Sequence, residues 1–142
     1  MPSRHATAHW DGDLRTGSGT VKVDSGAIDA PYSAGSRFEN AKGTNPEELL
    51  GAAHAGCFTM ALTAMLTGAG TPPSVIDTKA TVTIDAVPGG FTISHIVLDT
   101  TATIAGITDE AFQKVAEEAK SKCPISAALS AVPTTLKAKL TS

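Results

Sequence analysis

Two residues in this chain could carry covalent chemistry. Cys57 lies in a run of small apolar residues, Gly51-Ala52-Ala53-His54-Ala55-Gly56-Cys57-Phe58, and Cys123 directly precedes Pro124. They are the only two cysteines in 142 residues, too few for a disulfide-rich secreted scaffold. A free cysteine is most often a small buried hydrophobe, and that is the plainer reading of Cys57. Three features favour chemistry. A thiol at the start of a helix, as Cys123-Pro124 predicts, sits near unpaired backbone N–H groups that favour the thiolate. Both cysteines fall in ordered elements, as a redox pair requires. An arginine, Arg37, and two glutamates, Glu47 and Glu48, stand just ahead of Cys57.

Other chemistries fit less well. His54 and Cys57 have i,i+3 helical spacing, but no second cluster supplies two further zinc ligands. Cysteine–histidine acyl transfer needs an oriented base and an oxyanion hole, and nothing marks either. His54 is expected to pack or to support Cys57 from behind. No metal and no cofactor is expected.

Composition narrows the field. Eleven Lys+Arg against fourteen Asp+Glu give a net charge of −3, which disfavours a nucleic-acid face. Aromatic residues make up 4%, too few for base-stacking platforms. At 42% hydrophobic, the chain can bury a core as one domain over residues 1–142. The N-terminus has no apolar run of the signal-peptide kind, so a cytoplasmic protein is expected. The uncharged stretch from Leu49 to Met65 has the composition of a membrane span, but a helix apolar all round also suits the centre of a soluble fold.

The elements that must position these residues are legible in outline. His5–Trp10 and Ser18–Asp24 read as strands divided by a turn at Asp11-Gly12-Asp13. Residues 30–43, with Pro31, Gly35, Gly43 and few apolar anchors, read mostly as loop, which puts Arg37 in a loop. Asn45 as cap, Pro46 at the first position and Glu48 three residues after Asn45 start a helix that runs to about Thr67. Ile76–Val87, the turn Pro88-Gly89-Gly90 and Phe91–Ala105 read as a long hairpin. A helix opens at Thr108 or Asp109, Pro124 starts a short one to about Ala131, and Pro133–Thr141 closes as a strand. The class is α+β with mainly antiparallel pairing.

Four blocks together are specific: Arg37-Phe38-Glu39, Lys42-Gly43-Thr44-Asn45-Pro46-Glu47-Glu48-Leu49, Gly51 to Phe58, and Cys123-Pro124-Ile125-Ser126. With Ala8-His9-Trp10-Asp11-Gly12 and the Ser25-Gly26 turn, they resemble the OsmC/Ohr family of thiol-dependent organic hydroperoxide peroxidases, its OsmC branch in particular. The resemblance covers essentially the whole chain. It implies an OsmC-like fold, with mainly antiparallel sheets wrapped around central helices in an intertwined homodimer and two active sites at the interface. It makes Cys57 the peroxide-reacting cysteine, Cys123 the resolving cysteine, Arg37 the active-site arginine and Glu47 the glutamate that holds it. It also implies an antioxidant, stress-response enzyme whose redox-active disulfide is recycled by an external dithiol, a protein-bound dihydrolipoyl group being the favoured donor.

Helix geometry adds an expectation. Ten positions along a straight helix separate Glu47 from Cys57 by about 15 Å, so unless the helix breaks the simplest solution is a second subunit whose Arg37 and Glu47 approach Cys57. Phe58, Met60, Leu62, Met65 and Phe38 are expected to form an apolar mouth suited to an alkyl or aryl hydroperoxide. Three rival readings use the same residues, the last a structural disulfide that peroxide leaves unaffected and whose reduction unfolds the protein. A cysteine-pair redox sensor would oxidise without turnover, and an apolar small-molecule binder would survive loss of both thiols.

Overall fold

The computed structural model describes residues 1–141. Strand β1 (Ala6–Asp11), β2 (Ser18–Val23) and β3 (Asp29–Tyr32) form an antiparallel meander in the order β1-β2-β3. Trp10 meets Tyr32 edge-on at 5.3 Å between ring centroids. Gly19, the residue opposite both, has no room for a side chain, because a Cβ there would run into the two rings. Gly12 takes φ 92° in the turn after β1, where a side chain would be strained, and its carbonyl accepts the Trp10 indole N–H at 3.0 Å.

Residues 30–43 are more ordered than their sequence suggests. Asp29–Tyr32 is a strand, with Pro31 tolerated because β3 is an edge. Ala34–Phe38 is a short helix, α1, that carries Arg37. Its start is a reciprocal capping box: Ser33 accepts from the Ser36 backbone, and Ser36 Oγ accepts the Ser33 N–H. A serine in the place usually held by Glu or Gln hides that signal.

Helix α2 runs unbroken from Pro46 to Gly68. Asn45 Oδ1 accepts the Glu48 N–H at 2.8 Å, as expected of its cap. The Glu48 carboxylate instead accepts from the Thr44 hydroxyl at 3.0 Å. Strands β4 (Val75–Val87) and β5 (Gly90–Thr103) form the expected hairpin. Its register shifts between Thr83 and Ile84, where Ser94 is the extra residue and its hydroxyl bonds Asp85. Helix α3 (Asp109–Lys122) is capped by Thr108, and α4 (Pro124–Ala128) follows. Strand β6 (Thr134–Thr141) then joins β5 in parallel, giving the order β4-β5-β6. A helical return between two neighbouring strands carries the chain back in the same direction, so this pairing departs from the antiparallel majority.

The chain forms two compact units, Met1–Leu49 and Leu50 onward. The second holds an apolar core in which Phe58, Leu62 and Leu66 of α2 pack with Leu98, Ala102, Phe112, Ala116 and Ala119. Cys123 lies fully buried in that core. α2 is long and apolar enough to cross a membrane by length and composition. Its His54, Phe58, Leu62 and Leu66 face, spaced four apart, is fully covered by protein.

Candidate active site

In the second unit the fold brings the two cysteines together. Cys57 comes from the middle of α2, half-buried, and Cys123 from the junction where α3 ends and α4 begins. Both are free thiols, and their sulfurs lie 2.8 Å apart. The Cys123 thiol faces Cys57 Sγ across a gap longer than the ~2.05 Å of a disulfide.

The thiols sit in different fields. Burial pushes Cys57 up, and the neighbouring Cys123 adds to this, against the Ile125 N–H that favours its thiolate. Burial also opposes ionisation of Cys123. There the Cys57 thiol, the N–H and hydroxyl of Ser126, and the Ile125 N–H outweigh it, so Cys123 is lowered overall.

Behind the pair lies a polar contact that sequence reasoning left without a partner. His54 is fully buried one turn before Cys57, and its Nε2 lies 2.7 Å from Ser126 Oγ. Burial lowers its pKa, so the ring is neutral. The sequence does carry a signal for this contact: His54-x-x-Cys57 and Cys123-x-x-Ser126 place a polar group one helical turn from each thiol.

The first unit holds the ionic half of the predicted set. Arg37 grips Glu47 with Nε 3.2 Å from both carboxylate oxygens and Nη2 2.6 Å from Oε1. Glu47 is buried in the first turn of α2, while the Arg37 side chain stays 37% exposed and therefore reachable. The guanidinium lies 5.3 Å from the Phe38 ring centroid, in cation–π range. Asn45 Nδ2 donates to the Ser36 carbonyl at 3.1 Å and ties α1 to the start of α2. Two fixed elements thus aim the arginine.

The expected apolar mouth needs correction. Phe58 and Leu62 point into the core with no exposed area, because they share the His54 face of α2. Met65 also packs against that core. Met60, on the other side of the helix, is 75% exposed, and Phe38 is 43% exposed.

Residues 39–137 match the family model described as OsmC-like protein. The chain is 49% identical over 125 residues to peroxiredoxin OsmC of Escherichia coli strain K12, covering 87% of each. An organic hydroperoxide resistance protein from Elizabethkingia anophelis shares its fold with a TM-score of 0.76 at 28% identity, covering 99% of this chain and 98% of that one. The organic hydroperoxide resistance protein OhrB of Bacillus subtilis, at 23% identity, shares the fold with a TM-score of 0.71 over 98% of both chains. The relationship to the Escherichia coli protein is close enough to carry the enzyme class, an oxidoreductase of peroxidase type. Family model, relative and fold agree: the chain belongs to the OsmC-like family.

Proposed function

We propose that this protein reduces organic hydroperoxides to alcohols, with Cys57 as the attacking thiol and Cys123 as its resolver. The observation that carries this reading is two free thiols 2.8 Å apart in a chain that has no other cysteine. The Cys57 thiolate attacks one oxygen of the O–O bond. That bond breaks, the leaving alkoxide takes a proton and departs as alcohol, and Cys57 becomes a sulfenic acid. The Cys123 thiolate then attacks the Cys57 sulfur. The S–O bond breaks, hydroxide leaves as water, and the Cys57–Cys123 disulfide forms. An external dithiol reduces it, and a lipoyl-bearing protein is the donor the family resemblance implies. The proposed setting is a reducing cytoplasm, which keeps both thiols available between turnovers.

Arg37 and Glu47 enter as the electrostatic half of the site, supplied across a homodimer. Near neutral pH an ordinary cysteine is already about a tenth or less ionised, so full ionisation gains only about tenfold. The larger gain comes from stabilising the charge that grows on the leaving oxygen. A guanidinium suits this: Glu47 occupies its Nε and one Nη2 donor, and the remaining N–H groups can meet a peroxide. The same cation, set beside Cys57, would offset the burial that raises its pKa.

Two features support the dimer. α2 is unbroken from Glu47 to Cys57, a rise of about 15 Å. Its most apolar 18-residue window is only 28% buried, and Ala52, Ala53, Gly56 and Met60 stand exposed on it. A Cβ built on Gly56 would meet nothing within 4 Å, which leaves room for a second backbone. So apolar a face calls for a cover, and an isologous copy of α2 fits it.

The test is a thiol count before and after one equivalent of cumene hydroperoxide. The wild type is expected to lose both thiols and consume the peroxide. Cys57→Ser should consume none, and Cys123→Ser should stop at a Cys57 sulfenic acid trapped by dimedone. Persistent thiols with untouched peroxide would overturn the reading.

A further inference from the structure

Between α2 and the β4–β5 hairpin runs a line of three threonine hydroxyls that the steps above do not use. Thr59 Oγ1 donates to Thr78 Oγ1 at 2.8 Å, and Thr78 Oγ1 lies 2.9 Å from Thr100 Oγ1. Thr100 Oγ1 donates in turn to the Asp77 carbonyl at 3.3 Å. Each hydroxyl has one proton, so Thr100, having given its own to Asp77, accepts from Thr78. The line therefore runs one way, Thr59 to Thr78 to Thr100 to Asp77, and hydrogen bonds in series strengthen one another. It crosses α2, β4 and β5, with Thr78 and Thr100 paired across the hairpin. Thr100 is fully buried on the same face of β5 as Leu98 and Ala102.

Packing alone would be served by valine, which has the shape of threonine and brings no polar atom to satisfy. Hydroxyls add direction, and α2 needs it. The helix is uncharged from Leu49 to Met65, and half of the residues from Gly51 to Ala64 are glycine or alanine. Apolar contacts of that kind have no direction and leave a helix free to turn on its axis. Among the described residues, Thr59 is the one side chain of α2 that hydrogen-bonds to the hairpin. Cys57 stands two residues before it on the same unbroken helix. A turn of α2 by about 20° carries a side-chain tip, ~5 Å from the axis, through about 1.7 Å. An error of that size parts two groups that must meet to react.

We propose that Thr59, Thr78 and Thr100 are positioning residues for Cys57: their hydroxyl line fixes the rotation of α2 on the β4–β5 hairpin and so holds the Cys57 sulfur toward Cys123. The proposal rests on the peroxidase reading for its place in the cycle, where it serves the step that joins the two sulfurs. Its geometry belongs to the second unit alone, which holds all three threonines and both thiols. The consequence is thermodynamic. Holding the thiols face to face in the reduced protein raises the effective concentration of one sulfur at the other and favours the disulfide. A line that only added stability would strengthen the dithiol and disulfide forms alike and leave the balance between them unmoved.

The test reads that balance as the equilibrium of the Cys57–Cys123 disulfide with dithiothreitol, in the full chain and without peroxide. Thr78→Val keeps the shape of the side chain and removes both bonds of its hydroxyl. It should shift the equilibrium about tenfold toward the dithiol, a reduction potential about 30 mV higher. Thr59→Val should shift it as far, and the double variant no further, because both cut the same bond. Thr78→Ser, which keeps the hydroxyl, should stay within about twofold of wild type. An equilibrium unmoved in Thr78→Val and Thr59→Val overturns the proposal, even where urea unfolding is weakened. So does a shift in Thr78→Ser as large as that in Thr78→Val, which would make the effect one of packing. Thr59→Val, at a half-buried position, decides the matter if Thr78→Val does not fold. A wild type that consumes no peroxide refutes the peroxidase reading, while the dithiothreitol equilibrium still judges the hydroxyl line.

Discussion

If Arg37 and Glu47 of the partner subunit complete the site around Cys57, two inactive proteins should restore each other. One variant is Cys57→Ser, which keeps its arginine. The other is Arg37→Met, which keeps its thiol and should lose about 10²–10³-fold in rate with the main donor to the leaving oxygen. A ten-residue rise along α2 sets Glu47 about 15 Å along the axis from Cys57 of the same helix. Random exchange in an equal mixture makes half the dimers mixed. Each mixed dimer has one site with Cys57 from one chain and Arg37 from the other, both intact, and one site lacking both. The mixture should therefore recover about a quarter of wild-type turnover per chain. A site built within one subunit would recover none. The assay is dithiol-dependent loss of cumene hydroperoxide, after co-expression under two tags and isolation of the mixed species. Isolated mixed dimers should reach about half of wild type. Activity no higher than that of Arg37→Met would refute the composite site.

Four further outcomes follow from the geometry. Arg37→Lys should keep the fold but lose about 10²-fold or more in kcat/KM for hydroperoxide, since a point charge cannot both hold Glu47 and present a fork; retention within twofold would remove the guanidinium from the reaction. Diamide, which oxidises thiols without a peroxide, should form the Cys57–Cys123 disulfide in Arg37→Met within about tenfold of the wild-type rate, because only the thiol-ionisation share of the arginine's effect is lost; a loss as large as that with hydroperoxide would tie Arg37 to thiol ionisation alone. Burial holds His54 below its ordinary 6.5, so the unfolded chain takes up a proton first. That share of stability is full above pH 6.5 and is lost as pH falls toward the folded-state pKa, and urea melts at about pH 7.5 and pH 5.5 should differ less in His54→Gln than in wild type. Phe112→Ala, at a fully buried position, should cost about 3–5 kcal/mol in urea unfolding, and a loss under about 1 kcal/mol would mean the core closes around the gap.

The sequence was most readable where local chemistry decides local structure. Asn45-Pro46 states the start of α2, and alternation with a Pro-Gly-Gly turn states the β4–β5 hairpin. It was least readable where a distant residue decides. Nothing in Thr134–Thr141 names β5 as its parallel neighbour, and α1 hides behind a serine capping box. The Ser94 bulge was invisible because a long β-branched run reads the same with one residue more. At the site, Arg37 and Glu47 are ten residues apart and were singled out by their motif, yet their bidentate geometry emerges only once α1 is a helix. His54 looked like packing because its partner is 72 residues away. The apolar mouth failed for a plain reason: neighbours of Cys57 in sequence lie on several faces of one helix, and Phe58 and Leu62 fall on the buried one.

α2 also shows why one composition supports two opposite readings. A membrane span and the core of a dimer are both uncharged helices of about twenty residues, and hydropathy does not separate them. What separates them is where the polar atoms go and how large the exposed side chains are. Thr59 donates to Thr78 at 2.8 Å and His54 meets Ser126, so one side of α2 is committed to protein partners. The other side offers Ala52, Ala53 and Gly56, which present little apolar area to a lipid tail but let a second helix come close. The acidic first turn adds to this, for Glu47 is buried against Arg37, a pair that suits an aqueous catalytic site better than a bilayer. Small residues at mid-helix, a thiol beside them and an ion pair toward one end are the parts that the proposed second copy would bring together.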